Sequence, residues 1–405
     1  MKIAGKAMSQ PKILAVVSQW PMPVDRGDAL RTLQLLDVLR ELGSVTILAV
    51  EREDTKPSDR EALFARLPDT EIVGFSDGDV ARGSSVRRLK RWIRAAWQGV
   101  PPWINGRYSE NLAARVAEVS DEYDICIAIS EAAGIYITSA RWHWDKMNVL
   151  GSSTMQAVDV SAGFSRLRAR ILHNLSSRYE RRLLRICGSV SVTSSEERER
   201  LQRTYRSEST EWPSYAELPA QRSRATKERT IGWLGSFGYP PNRDGLLRFL
   251  DEGWPTLRAS DYRMLIIGGG IEAGLASKLE SSYDGLQILG FVEDLGSVLS
   301  QCECAVAPVW EGAGVKMKTL TLMSYGVPVF GTSVAFEGIN TTDLNVVYDS
   351  SEDLAAAIRR ASEGELIALG LRMQGVVAAN HSYGALQDAI RTSLLGAVVG
   401  NGGSK

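Results

Sequence analysis

The chain has 405 residues, of which 44% are hydrophobic and 23% charged, with a formal net charge of −1. That length provides for two or three domains with sizeable cores, and so even a charge balance excludes a general nucleic-acid binder. Four cysteines are too few for a disulfide framework. No apolar run is long enough to span a bilayer and the N-terminus lacks a secretory pattern, so a cytoplasmic protein, soluble or peripheral, is expected.

Residues 13–17 read as a first strand, followed by the loop QWPMPVDRGD and a helix to about Leu42 with apolar positions Leu30, Leu33, Leu36, Val38 and Leu39. Residues 45–50 make the next strand. Further short strands are expected at 72–75, 125–129, 148–150 and 190–193, with helices between them. Such alternation means parallel, right-handed βαβ units. Residues 206–228 carry few apolar side chains and read as a linker. The pattern restarts with strands at 230–234, 264–267, 286–289 and 304–309, so each half is wound on its own sheet. Cys302 and Cys304 lie in or beside an apolar strand, where core cysteines are expected in preference to a metal site.

Charge is unevenly divided: residues 1–205 carry a net +5 and the remainder a net −6. The basic half invites an anionic surface or acceptor. Residues 86–97 (VRRLKRWIRAAW) place Arg87, Arg88, Lys90, Arg91 and Arg94 around Leu89, Trp92, Ile93 and Trp97 at helical spacing. This composition fits contact with an anionic membrane, and equally an outer helix with a solvated basic face. A second basic helix, residues 166–185, offers Leu167, Ile171, Leu175 and Leu183 to the core. Asp77-Gly78-Asp79 reads as a solvated turn. Glu131, in ISEAAG after a strand, is either an acceptor-side base or a helix-start carboxylate.

The densest chemistry runs from Cys304 to Thr332. An apolar strand breaks at Glu311-Gly312-Ala313-Gly314, and a helix restarts over about 315–325. Gly326 is its natural stop, and residues 327–330 make the next strand. Glycines at a strand's carboxyl end let backbone N–H groups approach an anion, and the helix start adds partial positive charge. Lys316 and Lys318 place two cations where they oppose the helix dipole, which an anionic ligand compensates. Three more glycine loops fall at strand ends: Gly235-Ser236-Phe237-Gly238 with Asn242 beyond it, Gly268-Gly269-Gly270, and Phe291-Val292 after Gly290. Four such loops along one rim make a nucleotide-sized site.

The segments GSFGYPPNRDG, LIIGGG, LGFVEDL and APVWEGAGVKMKTLTLMSYGVPVFGT resemble the carboxyl-terminal domain of retaining family-4 glycosyltransferases. PMPVDRGDALRTLQLLDVLRELGSVTILAV is similar to the same family's acceptor-side opening. The resemblance implies an α/β fold, GT-B, with two Rossmann-like domains facing across a cleft. Residues 1–205 would be the acceptor domain and 229–382 the nucleotide-sugar domain, with a helix over 383–399 crossing back to the first. It further implies that Lys316 and Lys318 neutralise the donor diphosphate and that Glu311 faces the donor sugar. Gly312, Ala313 and Gly314 form the adjacent loop, and Arg26, Gly27 and Asp28 lie on the acceptor side. Neither a metal nor a cofactor is implied. Two positions depart from the family pattern. The second glutamate that holds the ribose is replaced by Thr319 or Thr321, depending on the anchor, a loss of roughly 1 kcal/mol. Met147 stands where an N-domain histidine is expected. The implied activity is sugar transfer from a nucleotide-sugar donor to a glycan, lipid-linked or small-molecule acceptor. A non-catalytic nucleotide-sugar-binding scaffold is the alternative.

Overall fold

The structure, a computed structural model, describes residues 10–24, 26–52, 55–76, 93, 97, 99–159, 162–219 and 229–400. The chain divides into two compact units, Met1–Trp212 with Gln387–Lys405, and Pro213–Leu386.

The first unit is built on a seven-stranded parallel sheet. Its strands are β1 (Lys12–Val17), β2 (Ser44–Glu51), β3 (Glu71–Ser76), β4 (Ile125–Ile129), β5 (Trp142–Lys146), β6 (Ser189–Val192) and β7 (Thr210–Glu211). Their order is β3-β2-β1-β4-β5-β6-β7. β1 is central, with Ile13 opposite Val45 on one side and Ile125 on the other. Because it is covered on both faces, its apolar run is continuous rather than alternating. Strand order reverses between β1 and β4, which opens a crevice at their carboxyl ends.

Three expectations for this unit need correction. The fifth strand is Trp142–Lys146, whereas residues 148–149 are loop and Leu150 begins the helix Leu150–Asp159. The sequence WHWDK conceals a buried strand because its polar side chains are paired inside. Asp145 accepts from Arg31 at 2.9 Å, and the fully buried Lys146 ammonium pairs with Glu180. Likewise, residues 210–212 of the expected linker belong to the sheet and its core. Trp212 is fully buried, stacked on His143 at 4.1 Å, and donates from Nε1 to Ser393 Oγ at 2.8 Å. Third, in the helix Gly163–Leu184 only Leu175 and Leu183 of the four expected apolar positions are buried. Leu167 and Ile171 are exposed, as are most of the first nine residues of this helix.

The second unit has a five-stranded parallel sheet: β8 (Thr230–Leu234), β9 (Arg263–Ile267), β10 (Leu286–Gly290), β11 (Cys304–Ala307) and β12 (Val329–Gly331). Its order, β10-β9-β8-β11-β12, puts the reversal between β8 and β11. Cys302 and Cys304 are buried in its core. The helix Pro240–Glu252 lies hard against the end of β11. A Cβ at Gly245 would meet the Pro308 carbonyl at 2.0 Å, so only glycine permits this approach. The helix after the Glu311 loop is shorter than expected, Met317–Ser324, and the next strand begins later, at Val329. Gly326, at φ +67°, closes that helix with Val327 N–H donating to Leu322 C=O and Gly326 N–H to Met323 C=O. Among the described residues no helix is long and apolar enough to cross a membrane.

Candidate functional site

The carboxyl rim of the second sheet is stitched by backbone hydrogen bonds between loops. Gly235 N–H donates to Ile267 C=O at 3.0 Å, Phe237 N–H to Gly269 C=O at 2.9 Å, and Gly268 N–H to Gly290 C=O at 2.7 Å. Gly268 sits at φ +132°, and a Cβ there would lie 2.0 Å from the Gly235 carbonyl. The glycines therefore let three loops lie edge to edge, giving the rim a fixed shape before any ligand arrives.

Both lysines reach this rim from the start of the helix Met317–Ser324. Lys318 donates to Asn242 Oδ1 at 2.7 Å, while Asn242 Nδ2 donates to the Ser236 carbonyl at 3.2 Å. That chain ties the loop after β8 to the helix after β11 across the switch point. Lys318 also lies over the Trp233 ring, 5.7 Å from its centroid. Burial and the neighbouring Lys316 charge pull its pKa down to about 7. Lys316 donates to the Gly314 carbonyl at 2.6 Å and faces Glu337 at 3.3 Å. Its helix has no side-chain cap and no acidic residue in the first turn. The site thus holds concentrated positive charge, part of it already strained toward neutrality.

Glu311 and Gly312 are exposed, Ala313 is half-buried and Gly314 buried. A side chain at Gly312 would meet the Tyr239 hydroxyl at 3.6 Å and the Lys316 ammonium at 3.9 Å, which puts these groups in one patch. Phe291 is 81% exposed on the rim, with Val292 half-buried beside it. Two candidates point elsewhere. Phe237 is buried against Trp233, ring centroids 6.2 Å apart, and presents only its backbone to the rim. Thr319 is fully buried, and its hydroxyl donates to the Ala335 carbonyl at 2.9 Å. Of the two threonines only Thr321, half-buried, keeps its side chain near the surface.

In the first unit, the crevice between β1 and β4 is lined by Gln19, Trp20, Arg26, Asp28, Arg107, Ser130 and Met147 among others. Asp28 Oδ1 accepts from Ala29 N–H at 3.0 Å and pairs with Arg26 Nε at 3.2 Å. Gly27 opens the helix Gly27–Leu42 at this edge. Ser130, at φ +94°, is held by its N–H to the Asp145 carbonyl and by its hydroxyl, 2.9 Å from Ser18 Oγ. Glu131 is buried and its Oε1 accepts from Met147 and Asn148 N–H at 2.8 and 2.6 Å. Burial raises its pKa against the pull of Lys146. This geometry is that of a helix-start carboxylate: Glu197 takes Val149 N–H at 2.6 Å, and Glu180 takes Leu150 and Gly151 N–H, both at 2.8 Å. Sequence spacing missed Glu337 and Arg107, because each reaches its site from a separate element with no motif of its own, and it passed over Tyr239 and Gln19 inside segments it did single out. Asp77, Gly78, Asp79, Arg87, Arg88, Lys90, Arg91 and Trp92 lie outside the described residues. Among the described residues no cluster suited to a metal ion occurs.

Residues 228–363 match the sequence family described as glycosyl transferases group 1, so the second unit carries a domain of that kind. No protein of curated function matches the chain. Among solved structures, Anabaena Alr3699/HepE in complex with UDP and glucose is similar in fold, with a TM-score of 0.65 and 13% identity, over 95% of this chain and 100% of that one. WaaG, a glycosyltransferase involved in lipopolysaccharide biosynthesis, has a TM-score of 0.62 and 13% identity over 93% of this chain and 98% of that one. A variant of S. aureus TarM in complex with fondaparinux, alpha-GlcNAc-glycerol and UDP has a TM-score of 0.65 and 9% identity, over 95% and 99%. At these identities the likeness is one of fold: two parallel-sheet Rossmann-like domains of the GT-B type.

Proposed function

We propose that the protein is a glycosyltransferase that moves a sugar from a nucleoside-diphosphate sugar to an acceptor hydroxyl with retention of configuration. The observation that carries this reading is the paired ammonium groups of Lys316 and Lys318 at the β8/β11 switch point of a glycosyl transferases group 1 domain. The bond from the sugar's anomeric carbon to the diphosphate breaks as the bond to the acceptor oxygen forms. The acceptor proton moves to the departing diphosphate, so no protein nucleophile is required. The two lysines stabilise the charge that develops on that leaving group, the task a divalent cation performs elsewhere. Glu311 faces the sugar, and the exposed ring of Phe291 offers a surface for the base. The UDP held by two of the fold relatives makes uridine diphosphate the first probe. A non-catalytic sugar-nucleotide-binding role is the second reading, favoured by threonine at both positions that could correspond to the family's second glutamate, with Thr319 turned into the core. Thermal shift with a panel of nucleotide sugars, followed by hydrolysis without acceptor, separates the two. Binding with slow hydrolysis supports the enzyme, and binding with neither hydrolysis nor transfer supports the second reading. No binding by any member overturns both.

We also propose cytoplasmic placement, with the first unit resting on an anionic bilayer, the inner face of a plasma membrane. On the helix Gly163–Leu184 the exposed residues Phe164, Leu167 and Ile171 share a face with exposed Arg178, Arg181 and Arg182, and Arg185 continues it. Trp97, 89% exposed, and Ile93 add apolar groups. Each cation is worth about 1 kcal/mol near an anionic leaflet, enough in sum for reversible attachment. Co-sedimentation should require anionic vesicles and fall with salt. It should also weaken in Phe164→Ser/Leu167→Ser. Equal binding to neutral and anionic vesicles, or none, removes the membrane from the reading.

A further inference from the structure

We propose that a basic groove on the first unit, between the ends of the helices Gly163–Leu184 and Ser195–Tyr205, binds a phosphate group carrying two negative charges. The helix Gly163–Leu184 ends before β6 and the helix Ser195–Tyr205 before β7. β6 and β7 are parallel, so both helix ends lie at the amino edge of the sheet, opposite the carboxyl edge where α/β sheets hold their substrates. There Arg181, Arg185, Arg203 and Arg206, with Thr204 and Tyr205, line a groove of about 440 Å³. That volume falls within the range of small-molecule pockets.

Charge is the first observation. Glu199 pairs with Arg203 at 3.0 Å, whereas among the described residues Arg181, Arg185 and Arg206 form no ion pair. Cations at a helix C-terminus answer its dipole, but each end carries only about half a negative charge. Four guanidinium groups against Glu199 and two such ends leave about two positive charges uncompensated. Backbone strain at one of the four is a second, independent observation. Arg206 sits at φ +55°, just past the last residue of its helix, where glycine is the residue of least strain. The other described non-glycine residues at positive φ are Asp69, Ser130, Asp261 and Asn345, all with short polar side chains. An arginine in that conformation costs backbone energy, and its side chain goes to the groove. Tyr205 makes one wall firm: its hydroxyl donates to the buried Glu180 Oε2 at 2.7 Å, and Arg181 lies over its ring, 6.0 Å from the centroid. A phosphate ester carries a charge of about −1.5 to −2 and three acceptor oxygens, which matches both the excess charge and the guanidinium forks. A carboxylate supplies only one charge. The same phosphate chemistry is offered by a soluble phosphate and by a lipid headgroup.

The test titrates inorganic diphosphate and acetate by calorimetry into the full chain carrying Lys316→Ala/Lys318→Ala, so that the nucleotide rim does not compete. Diphosphate should bind, and acetate should bind at least about tenfold more weakly. Adding Arg206→Gly should weaken diphosphate about threefold to tenfold, and adding Arg181→Gln as well should weaken it by more than about tenfold, effects held down by the exposure of these side chains. Arg115→Gln, on an exposed pair with Glu118, should leave it unchanged. Arg206→Gly should not lower the melting temperature, since glycine adopts φ +55° freely, so lost binding is not lost fold. Co-sedimentation with phosphatidylcholine vesicles, with and without phosphatidic acid, then separates the two sources. Binding to phosphatidic acid that falls in Arg181→Gln/Arg206→Gly assigns the groove to a lipid headgroup; vesicle binding untouched by that change, with diphosphate still weakened, assigns it to a soluble phosphate. Diphosphate that does not bind, or binds Arg181→Gln/Arg206→Gly like the parent, overturns the proposal. Phe164→Ser/Leu167→Ser should leave diphosphate affinity unchanged, so a failure of the membrane reading shows separately. A parent that fails to bind UDP would refute the donor reading and leave this one standing.

Discussion

Among the helices that start at the carboxyl ends of parallel strands, two have first turns handled in opposite ways. At Leu150–Asp159, after β5, five consecutive amides from Met147 to Gly151 donate to the chain's own Glu131, Glu197 and Glu180. At Met317–Ser324, after β11, the first turn has no acidic residue and carries two lysines instead. A helix start is an anion site by geometry alone. Whether a protein binds a ligand there depends on whether its own carboxylates have occupied it first. The first unit uses such a site to hold its fold, whereas in the second no carboxylate lies in the helix's first turn and Glu337 meets Lys316 from a distant segment.

The largest effect should come from disturbing the occupied site. Glu180 is fully buried against Lys146, two backbone amides and the Tyr205 hydroxyl at 2.7 Å. Glu180→Gln strands the Lys146 charge and should lower unfolding free energy by about 3–5 kcal/mol in denaturant titration. A loss below about 1 kcal/mol would mean that the glutamates do not hold this helix start. At the lysine-bearing site the pattern should invert, with binding lost and stability kept. Lys318→Ala and Lys316→Ala should each weaken UDP binding by about 1.5–3 kcal/mol by calorimetry, with little change in unfolding. Parent-like affinity in both would move the diphosphate elsewhere.

Next comes pH. Lys318 titrates near 7 in the free protein, far below the ordinary lysine value, through burial and Lys316. A diphosphate favours its charged form, so UDP affinity should be greatest below pH 7 and fall, by at most tenfold per pH unit, as pH rises above it. Binding at pH 8 should take up protons, visible as buffer-dependent heats, and Lys318→Met should remove both effects. Folding stability carries the opposite slope. It should rise between pH 7 and the ordinary lysine value, because there the unfolded chain holds a proton that the folded one has released. The smallest effect separates the threonines. Thr321→Glu should tighten UDP by roughly 1 kcal/mol if the ribose reaches that turn. Thr319→Glu buries a charge in the core and should instead lower the melting temperature. Equal behaviour of the two would show that neither meets the ribose.

What the sequence determined by itself is local. The runs at 13–17, 45–50 and 304–309 read as strands because a parallel strand covered on both faces needs unbroken apolar side chains. The Gly312–Gly314 turn and its two lysines were legible because glycine and charge have meaning at a strand-to-helix junction whatever surrounds them. Tertiary structure decided everything that depends on a partner far along the chain. WHWDK became a strand only because Arg31 and Glu180 arrive to pair its charges. Trp212 left the expected linker because His143 lies beside it to stack on. Thr319 and Thr321 differ by two positions, yet one bonds Ala335 in the core and the other stays near the surface, since a helix rotates about 100° per residue. Lys316 and Lys318 read alike in the sequence. Glu337 and Asn242, brought in from 21 residues after one lysine and 76 before the other, made one an ion pair and the other a half-buried ammonium held on an amide oxygen, whose pKa burial and Lys316 pull down to about 7. Hydrophobic pattern and backbone preference act between neighbours. Charge pairing and burial act between residues that only the fold brings together.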